Sequence, residues 1–375
     1  MSATFDDPTA QRLEPISTGA EPRVVAPLLA DVLHDPRWID CDVALISGGK
    51  SNLTYRVACD AGEVVLRRPP LGHVLPTAHD MVREHRVLQA LDGTAVPVPR
   101  VLHLGSADGP LGVDFYVMER VLGHVCRNAL PPGYADAPEP RAAIGNALVD
   151  VLADLHAVDP EAVGLAGFGR PAGFVERQLR RWSKQWEATK TAAMPALDEL
   201  RDELVRTLPP QRAAAIVHGD YRLDNTILHP TVPGRIVAVL DWEMSTLGDP
   251  LTDLGTLLAY WSEATDDAVL AAARVMAPVT AGEGFPSRAE VVERYAARTG
   301  FDVSGIEWYQ AFAYFKLAVV CQGIAARAAG GAMLGSGFDD AQRIVAPLVA
   351  AGRQVLAERP GLPAIWGSAG RSAPA

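Results

Sequence analysis

The chain has 375 residues, 49% of them hydrophobic and 21% charged, ample apolar material for one or two buried cores. Its formal net charge of −11 argues against a general nucleic-acid surface, which needs a clustered basic excess. The acidity is compatible with a cationic substrate, although solubility explains it more simply.

Cys41, Cys59, Cys126 and Cys321 are scattered, with no Cys-x-x-Cys pair. That pattern argues against a metal cage or a disulfide framework and leads us to expect reduced thiols in a cytoplasmic protein. The N-terminus lacks the basic, apolar and small-residue pattern of a signal peptide. The most apolar late stretch, near 317–334, holds Gln322 and Arg327 and is interrupted by glycine, so no membrane span is expected there.

Residues 1–21 and 358–375, rich in Ser, Ala, Gly, Pro and charge, are expected to be disordered arms. An apolar helical pattern covers 22–35 and stops at Asp35-Pro36. Strand-like segments follow at about 42–47, 53–59 and 63–68, the first two joined by the loop SGGKSN at 47–52. The spacing predicts a helix over 77–91, with Thr77 as its N-cap and Met81, Glu84, Leu88 and Leu91 on one face. Glu84 then stands in an apolar stripe, where a carboxylate needs a cationic partner.

VPVPR at 96–100 is an extended connector. Strands at about 100–104 and 113–118 complete an antiparallel sheet of about five strands with one helix, a small lobe over 22–120. The remainder, 121–357, is mainly helical, with helices at 141–157, 173–191 and 196–208. The period then changes to short strands at 216–218, 226–229 and 235–240. Helices resume at 251–263, 266–277, 287–299, 305–329 and 338–357.

The chemistry concentrates where the period changes. Residues 217–225 read VHGDYRLDN. Asn225 stands five positions after Asp220, and Asp241, closing the apolar run IVAVL, stands sixteen after Asn225. A phosphoryl-transfer site needs one carboxylate to accept the proton of an attacking hydroxyl, and an amide and a second carboxylate to hold Mg²⁺ on nucleotide phosphates. Asp220 is the candidate base, and Asn225 and Asp241 are the candidate metal ligands. Glu243 is a candidate outer ligand or a solvated side chain, and His218 is expected to orient the loop. Asp249-Pro250 reads as a helix start, and Asp253 is expected to hold the Asp220 loop by hydrogen bonds.

Gly48, Gly49, Lys50 and Ser51 form a candidate phosphate-binding turn, although a plain hairpin turn reads equally well and no Walker A pattern is present. Arg67 or Arg68 is the candidate partner of Glu84. Alternation along VVLRR sends Arg67 to the cleft face if Leu66 packs inward. Glu119 lies where backbone amides would meet an adenine base.

With ISGGKSNLTYRV, VVLRRPP, MVREHRVLQAL, VPVPRVL, FYVMERVLG, VHGDYRLDN and AVLDWEMSTLGDPLTDLG in this order, the chain resembles the aminoglycoside phosphotransferase/choline kinase-like superfamily. Within it the chain is most similar to the phosphotransferase domain fused to some acyl-CoA dehydrogenases. The resemblance runs from about Leu45 to Val345 and specifies no substrate. It implies an α+β, protein kinase-like two-lobed fold, ATP or less often GTP as donor, and Mg²⁺. It assigns Asp220 as base, Asn225 and Asp241 as metal ligands, and a small hydroxylated acceptor. The superfamily usually has lysine where this chain has Arg67, whose fork keeps the charge but not the shape.

The leading expectation is therefore a small-molecule kinase, the acceptor by subgroup resemblance a hydroxyacyl thioester or another hydroxylated metabolite. The alternatives are a nucleotide-binding regulatory protein without phosphotransfer, an antibiotic phosphotransferase, and, remotely, a metal-dependent hydrolase built on His218, Asp220 and Asp241. The acceptor pocket is expected among the helices at 173–191 and 251–329, with Trp182, Trp186, Trp242, Tyr260, Trp261, Tyr309 and Tyr314 as candidates for its wall.

Overall fold

The computed structural model describes residues 13–14, 17–46, 52–71, 79–329 and 338–358. These fall into two compact units, Met1–Gly167 with Leu223–Ser245, and Phe168–Arg222 with Thr246–Ala375.

The first unit is built on a six-stranded antiparallel sheet of order β1-β2-β3-β4-β6-β5. The strands are β1 (Leu13–Glu14), β2 (Asp42–Ile46), β3 (Leu53–Cys59), β4 (Gly62–Arg68), β5 (Val101–Gly105) and β6 (Phe115–Glu119). Five correspond to the strands expected from alternation. The sixth, β1, pairs Leu13 with Ile46 and lies in the segment expected to be a disordered arm. Ala20 in that segment is buried in the core, Tyr55 donates to the Thr18 carbonyl at 2.5 Å, and Arg68 donates to the Gly19 carbonyl. The ordered fold therefore begins before residue 22, because a few specific contacts outweigh a polar composition. The rest of that arm and 359–375 lie outside the described residues.

Alternation gives the sheet two faces. Tyr55, Val57, Val64, Leu66, Phe115 and Val117 pack with Val25, Ala26 and Leu29 of helix α1 (Pro22–Val32) and with Trp38. The opposite face carries Thr54, Arg67 and Tyr116, on the side of helix α2 (Met81–Leu91). This helix starts four residues later than its pattern predicted. Asp80 caps it by accepting from the Arg83 amide at 2.9 Å, and Thr77 lies outside the described residues.

Helix α3 (Pro138–Ala157) and a two-stranded ribbon complete this unit. In the ribbon, β8 (Thr226–Leu228) pairs antiparallel with β9 (Ile236–Val239). It packs through Ile227 and Ala238 on Val125 and is tied to the chain leaving β6 by main-chain bonds between His124 and Leu228, 2.9 Å each way. A Cβ on Gly123 would fall 2.1 Å from the Leu228 carbonyl oxygen, so only glycine permits this approach.

The second unit is mainly helical: α4 (Phe174–Thr189), α5 (Pro195–Arg206), α6 (Leu251–Tyr260), α7 (Ala268–Ala272), α8 (Arg288–Thr299), α9 (Ile306–Ala329) and α10 (Phe338–Ala357). Strand β7 (Ala215–Val217) pairs with β10 (Thr246–Gly248), a strand the sequence pattern left inside a loop. Helix α9 runs against α4, α5, α6 and α10, burying Trp308, Tyr309, Phe315 and Val319. Ile306–Ala328 is long and apolar enough to cross a membrane by length and composition, with mean hydropathy 1.2, and half of that window is buried inside the fold. The window beginning at 317 misses this because the apolar run starts at Ile306. All four cysteines are free thiols.

Candidate active site

In the first unit, seven polar side chains form one network. Arg67 projects from β4 on the face opposite Leu66. Its Nε donates to Glu84 Oε2 at 2.8 Å, its Nη1 to Thr54 Oγ1 at 3.2 Å and its Nη2 to Asp241 Oδ1 at 2.5 Å. Glu84 is only 1% exposed and also accepts from Tyr116 Oη at 3.0 Å and Asn52 Nδ2 at 2.7 Å. Asn52 Nδ2 reaches Glu243 Oε2 at 3.2 Å as well. Arg68, by contrast, turns to the Gly19 carbonyl. Alternation thus decides between the two arginines as the partner of Glu84.

Burial alone would pull the Arg67 guanidinium down, but Glu84, Tyr116, Asp241 and Glu243 outweigh it and hold the charge firmly on. Burial pushes the Glu84 carboxyl up, with Arg67 pulling it back. Three donors around a buried carboxylate are what such a group requires.

Asn225 and Asp241 stand together at one end of the β8–β9 ribbon. Thr226 is paired with Val239, and the Asn225 carbonyl accepts from the Leu240 amide at 2.8 Å. The register of two strands thus brings the backbone positions of Asn225 and Asp241, sixteen residues apart, to the same end of the ribbon. Asp241 is a non-glycine residue in the left-handed region, φ 66° and ψ 61°, and its side chain caps no backbone group of the 3-10 turn that follows. Such strain persists only where the surroundings enforce it, and it marks functional positions. A carboxylate and a carboxamide oxygen are hard donors that suit Mg²⁺, which keeps waters and adds phosphate oxygens. The residues fit that ion, with Arg67 as the present partner of Asp241.

Asp220 belongs to the second unit, at the end of β7. Gly219 adopts φ 87°, a conformation that glycine enters without cost. Its amide and that of His218 donate to the two oxygens of buried Asp253 at 2.8 and 2.6 Å, the loop-holding bonds expected of this residue. His218 is fully buried, and its Nδ1 accepts from the Asp220 amide at 3.2 Å. Arg222 Nε donates to Asp220 Oδ2 at 3.1 Å. Asp249, just before the Pro250 N-cap of α6, accepts from the Leu251 amide at 3.0 Å and from Tyr309 Oη at 2.8 Å.

Gly48, Gly49, Lys50 and Ser51 lie outside the described residues. Glu119 closes β6, and its amide donates to the Arg100 carbonyl at 2.9 Å.

Sequence reasoning missed two residues. Asn52 was counted only as the end of a loop. Lys316, on α9, donates from Nζ to the Gly219 carbonyl at 2.6 Å. A lone lysine inside the apolar run of 311–320 was a signal of the same kind as Glu84 in its apolar stripe.

The sequence matches the Phosphotransferase enzyme family over residues 42–291. It is 37% identical over 284 residues to acyl-CoA dehydrogenase family member 11 of Rattus norvegicus, an alignment covering 74% of this chain and 35% of that protein. The chain thus spans about a third of the length of this relative. A crystal structure from Ralstonia eutropha, described as a candidate aminoglycoside phosphotransferase, is 35% identical, with a TM-score of 0.72 over 84% of this chain and 92% of that one. The aminoglycoside phosphotransferase APH(4)-Ia, solved as a thermostable mutant with ADP and hygromycin B, shares the kinase-like fold at 15% identity and a TM-score of 0.57, over 88% of this chain and 98% of that one. Family match and fold agree, and the chain belongs to the phosphotransferase enzyme family.

Proposed function

We propose that the protein is an ATP-dependent small-molecule kinase that moves the γ-phosphoryl group of ATP to a hydroxyl of a metabolite. The observation that carries this reading is the pairing of Asn225 with Leu240, which sets Asn225 and Asp241 at the same end of one ribbon, with Arg67 on the Asp241 carboxylate and Glu84 behind the arginine. In this reading residues 22–120 hold the nucleotide, and 121–357 supply the base, the metal ligands and the acceptor site. Arg67 positions the α- and β-phosphates, and Glu84 orients Arg67. Asn225 and Asp241 hold Mg²⁺, which neutralises charge developing on the phosphates when bound.

Asp220 accepts the acceptor's hydroxyl proton as the new O–P bond forms and the bond to the β-phosphate oxygen breaks, releasing ADP. Asp253, through the His218 and Gly219 amides, fixes the loop that carries Asp220. GTP is the alternative donor, and the cytoplasm is the proposed compartment. The kinship with acyl-CoA dehydrogenase family members supports a hydroxyacyl thioester as acceptor, and the complex of APH(4)-Ia with ADP supports an adenine nucleotide.

The test is ADP release from ATP and Mg²⁺ over a panel of hydroxylated acceptors, for wild type and Asp220→Asn. We expect turnover that falls about 10²–10⁴-fold in the variant while nucleotide affinity is kept. A second reading, a nucleotide-binding regulatory protein, is favoured by the contact of Arg67 with Asp241, which keeps a metal ligand engaged. Wild type and variant that bind ADP equally and are equally inert would establish it.

A further inference from the structure

Of the seven aromatic side chains offered as walls of an acceptor pocket, five serve the interior. Trp186, Trp242 and Trp261 donate to Asp198, the Val239 carbonyl and the Pro286 carbonyl, Tyr309 donates to Asp249, and Tyr314 is buried. Trp182 and half-buried Tyr260 carry cations against their rings, as Trp186 does with Lys190, and Trp182 carries two. Arg222 Cζ lies 4.8 Å from the Tyr260 centroid. Lys316 Nζ and Arg181 Cζ lie 5.7 and 5.4 Å from the Trp182 centroid. All five residues belong to the compact unit that contains Asp220.

Lys316 joins this group to the loop of the candidate base through its bond to the Gly219 carbonyl, next to Asp220. One carbonyl uses one of three ammonium N–H donors. Burial pulls the Lys316 pKa down, Arg181 and Arg222 pull the same way, and Asp220 and Asp253 oppose them. Among the described residues neither Lys316 nor exposed Arg181 has a carboxylate in ion-pair distance. Two cations on one indole repel each other, and an anion set between them would relieve that repulsion at closer range than Asp220 and Asp253 do. A polycationic acceptor would meet only repulsion at this ring.

We propose that the acceptor is a hydroxyl compound bearing an anionic group, held by Lys316 and Arg181 at Trp182. This rests on the phosphotransferase reading and names the substrate class of that site. The anion is either a carboxylate of the acceptor itself or a phosphate of a thioester carrier, and the same cations suit both.

The experiment measures ADP release by the full chain with ATP and Mg²⁺ against four matched acceptors. These are β-hydroxybutyrate, β-hydroxybutyryl coenzyme A, neutral β-hydroxybutyramide and the corresponding amino alcohol. We expect one of the two anionic acceptors to exceed the neutral and cationic ones in kcat/KM by about tenfold or more, the scale of a charge-assisted hydrogen bond. Which of the two it is identifies the source of the anion.

Exposed Arg181→Gln should raise KM for that acceptor by about tenfold, leave kcat unchanged, and not alter turnover of the amide. Lys316→Met should lose the anion preference as well, and Arg181→Gln keeps the test decisive if that part-buried change perturbs the loop. Equal use of all four acceptors, a preference for the amino alcohol, or an Arg181→Gln variant with unaltered KM overturns the proposal. Slow ATP hydrolysis with no transfer to either anionic acceptor also overturns it, leaving the kinase reading intact. Loss of both nucleotide binding and hydrolysis in the wild type removes the kinase reading itself.

Discussion

Arg67 reaches two carboxylates at once, Glu84 through Nε at 2.8 Å and Asp241 through Nη2 at 2.5 Å. The forked guanidinium makes this possible, since an ammonium has one nitrogen to place. Where the superfamily usually has lysine, this chain therefore has a residue that ties the helix glutamate to the candidate metal ligand.

Arg67→Lys releases Asp241 from that tie. Mg²⁺-dependent ADP binding should tighten by about fivefold, ~1 kcal/mol being the scale of one half-exposed ion pair. Calorimetry with Mg-ADP checks this, and a weaker or unchanged Kd contradicts competition between Arg67 and the metal.

Arg67→Met should instead damage the fold. It leaves Glu84, 1% exposed, with the neutral donors Tyr116 and Asn52. Removing one member of a buried pair costs about 3–5 kcal/mol, because the other charge is stranded. Adding Glu84→Leu should recover part of that loss, and the coupling is read from urea denaturation of the two single variants and the double.

Much of this site was legible in the sequence, and the reason differs from residue to residue. Glu84 stood out because a carboxylate in an apolar helical stripe demands a partner, and strand alternation selected Arg67 over Arg68. The placing of Asn225 and Asp241 at the ends of two short strands was legible from the change of period. Strand β10 was not legible, because three residues in a glycine- and aspartate-containing stretch carry no period. The bond from Lys316 to Gly219 was invisible for another reason: it joins positions 97 apart, and no local rule specifies such a contact.

Asp253→Asn tests the loop. Both oxygens of Asp253 accept, from the His218 and Gly219 amides, and a carboxamide offers only one acceptor. The variant should lose about 1.5–3 kcal/mol of stability, the range for a hydrogen bond to a charged group. Its kcat should fall with KM for ATP little changed, as steady-state kinetics and thermal melts would show.

Asp241→Asn separates strain from metal binding. Asparagine tolerates φ 66° at least as well as aspartate, so stability should change by no more than about 1 kcal/mol. Mg²⁺-dependent nucleotide binding should be lost. A large drop in melting temperature would assign Asp241 to the fold instead.

Asp266 provides a pH test away from the site. Burial pushes its carboxyl up, yet hydrogen bonds from Arg288 at 2.6 Å, Arg274 at 2.9 Å and the Glu263 amide at 3.0 Å hold it below the ordinary 3.8. A depressed folded pKa contributes stability that is complete above the unfolded value and is lost as pH falls through the folded one. Wild type should therefore exceed Asp266→Asn in urea midpoint at neutral pH, and the gap should close on acidification below 3.8.

The main-chain pairing of His124 with Leu228, against a glycine that admits no Cβ, has a practical consequence for domain exchange. The ribbon bearing Asn225 and Asp241 is seated on the chain that leaves the six-stranded sheet, with no side chain in between to adjust. A chimera joined anywhere between residues 126 and 222 would part that ribbon from its support. A graft that preserves it must transplant two pieces, Met1–Gly167 and Leu223–Ser245, as one part.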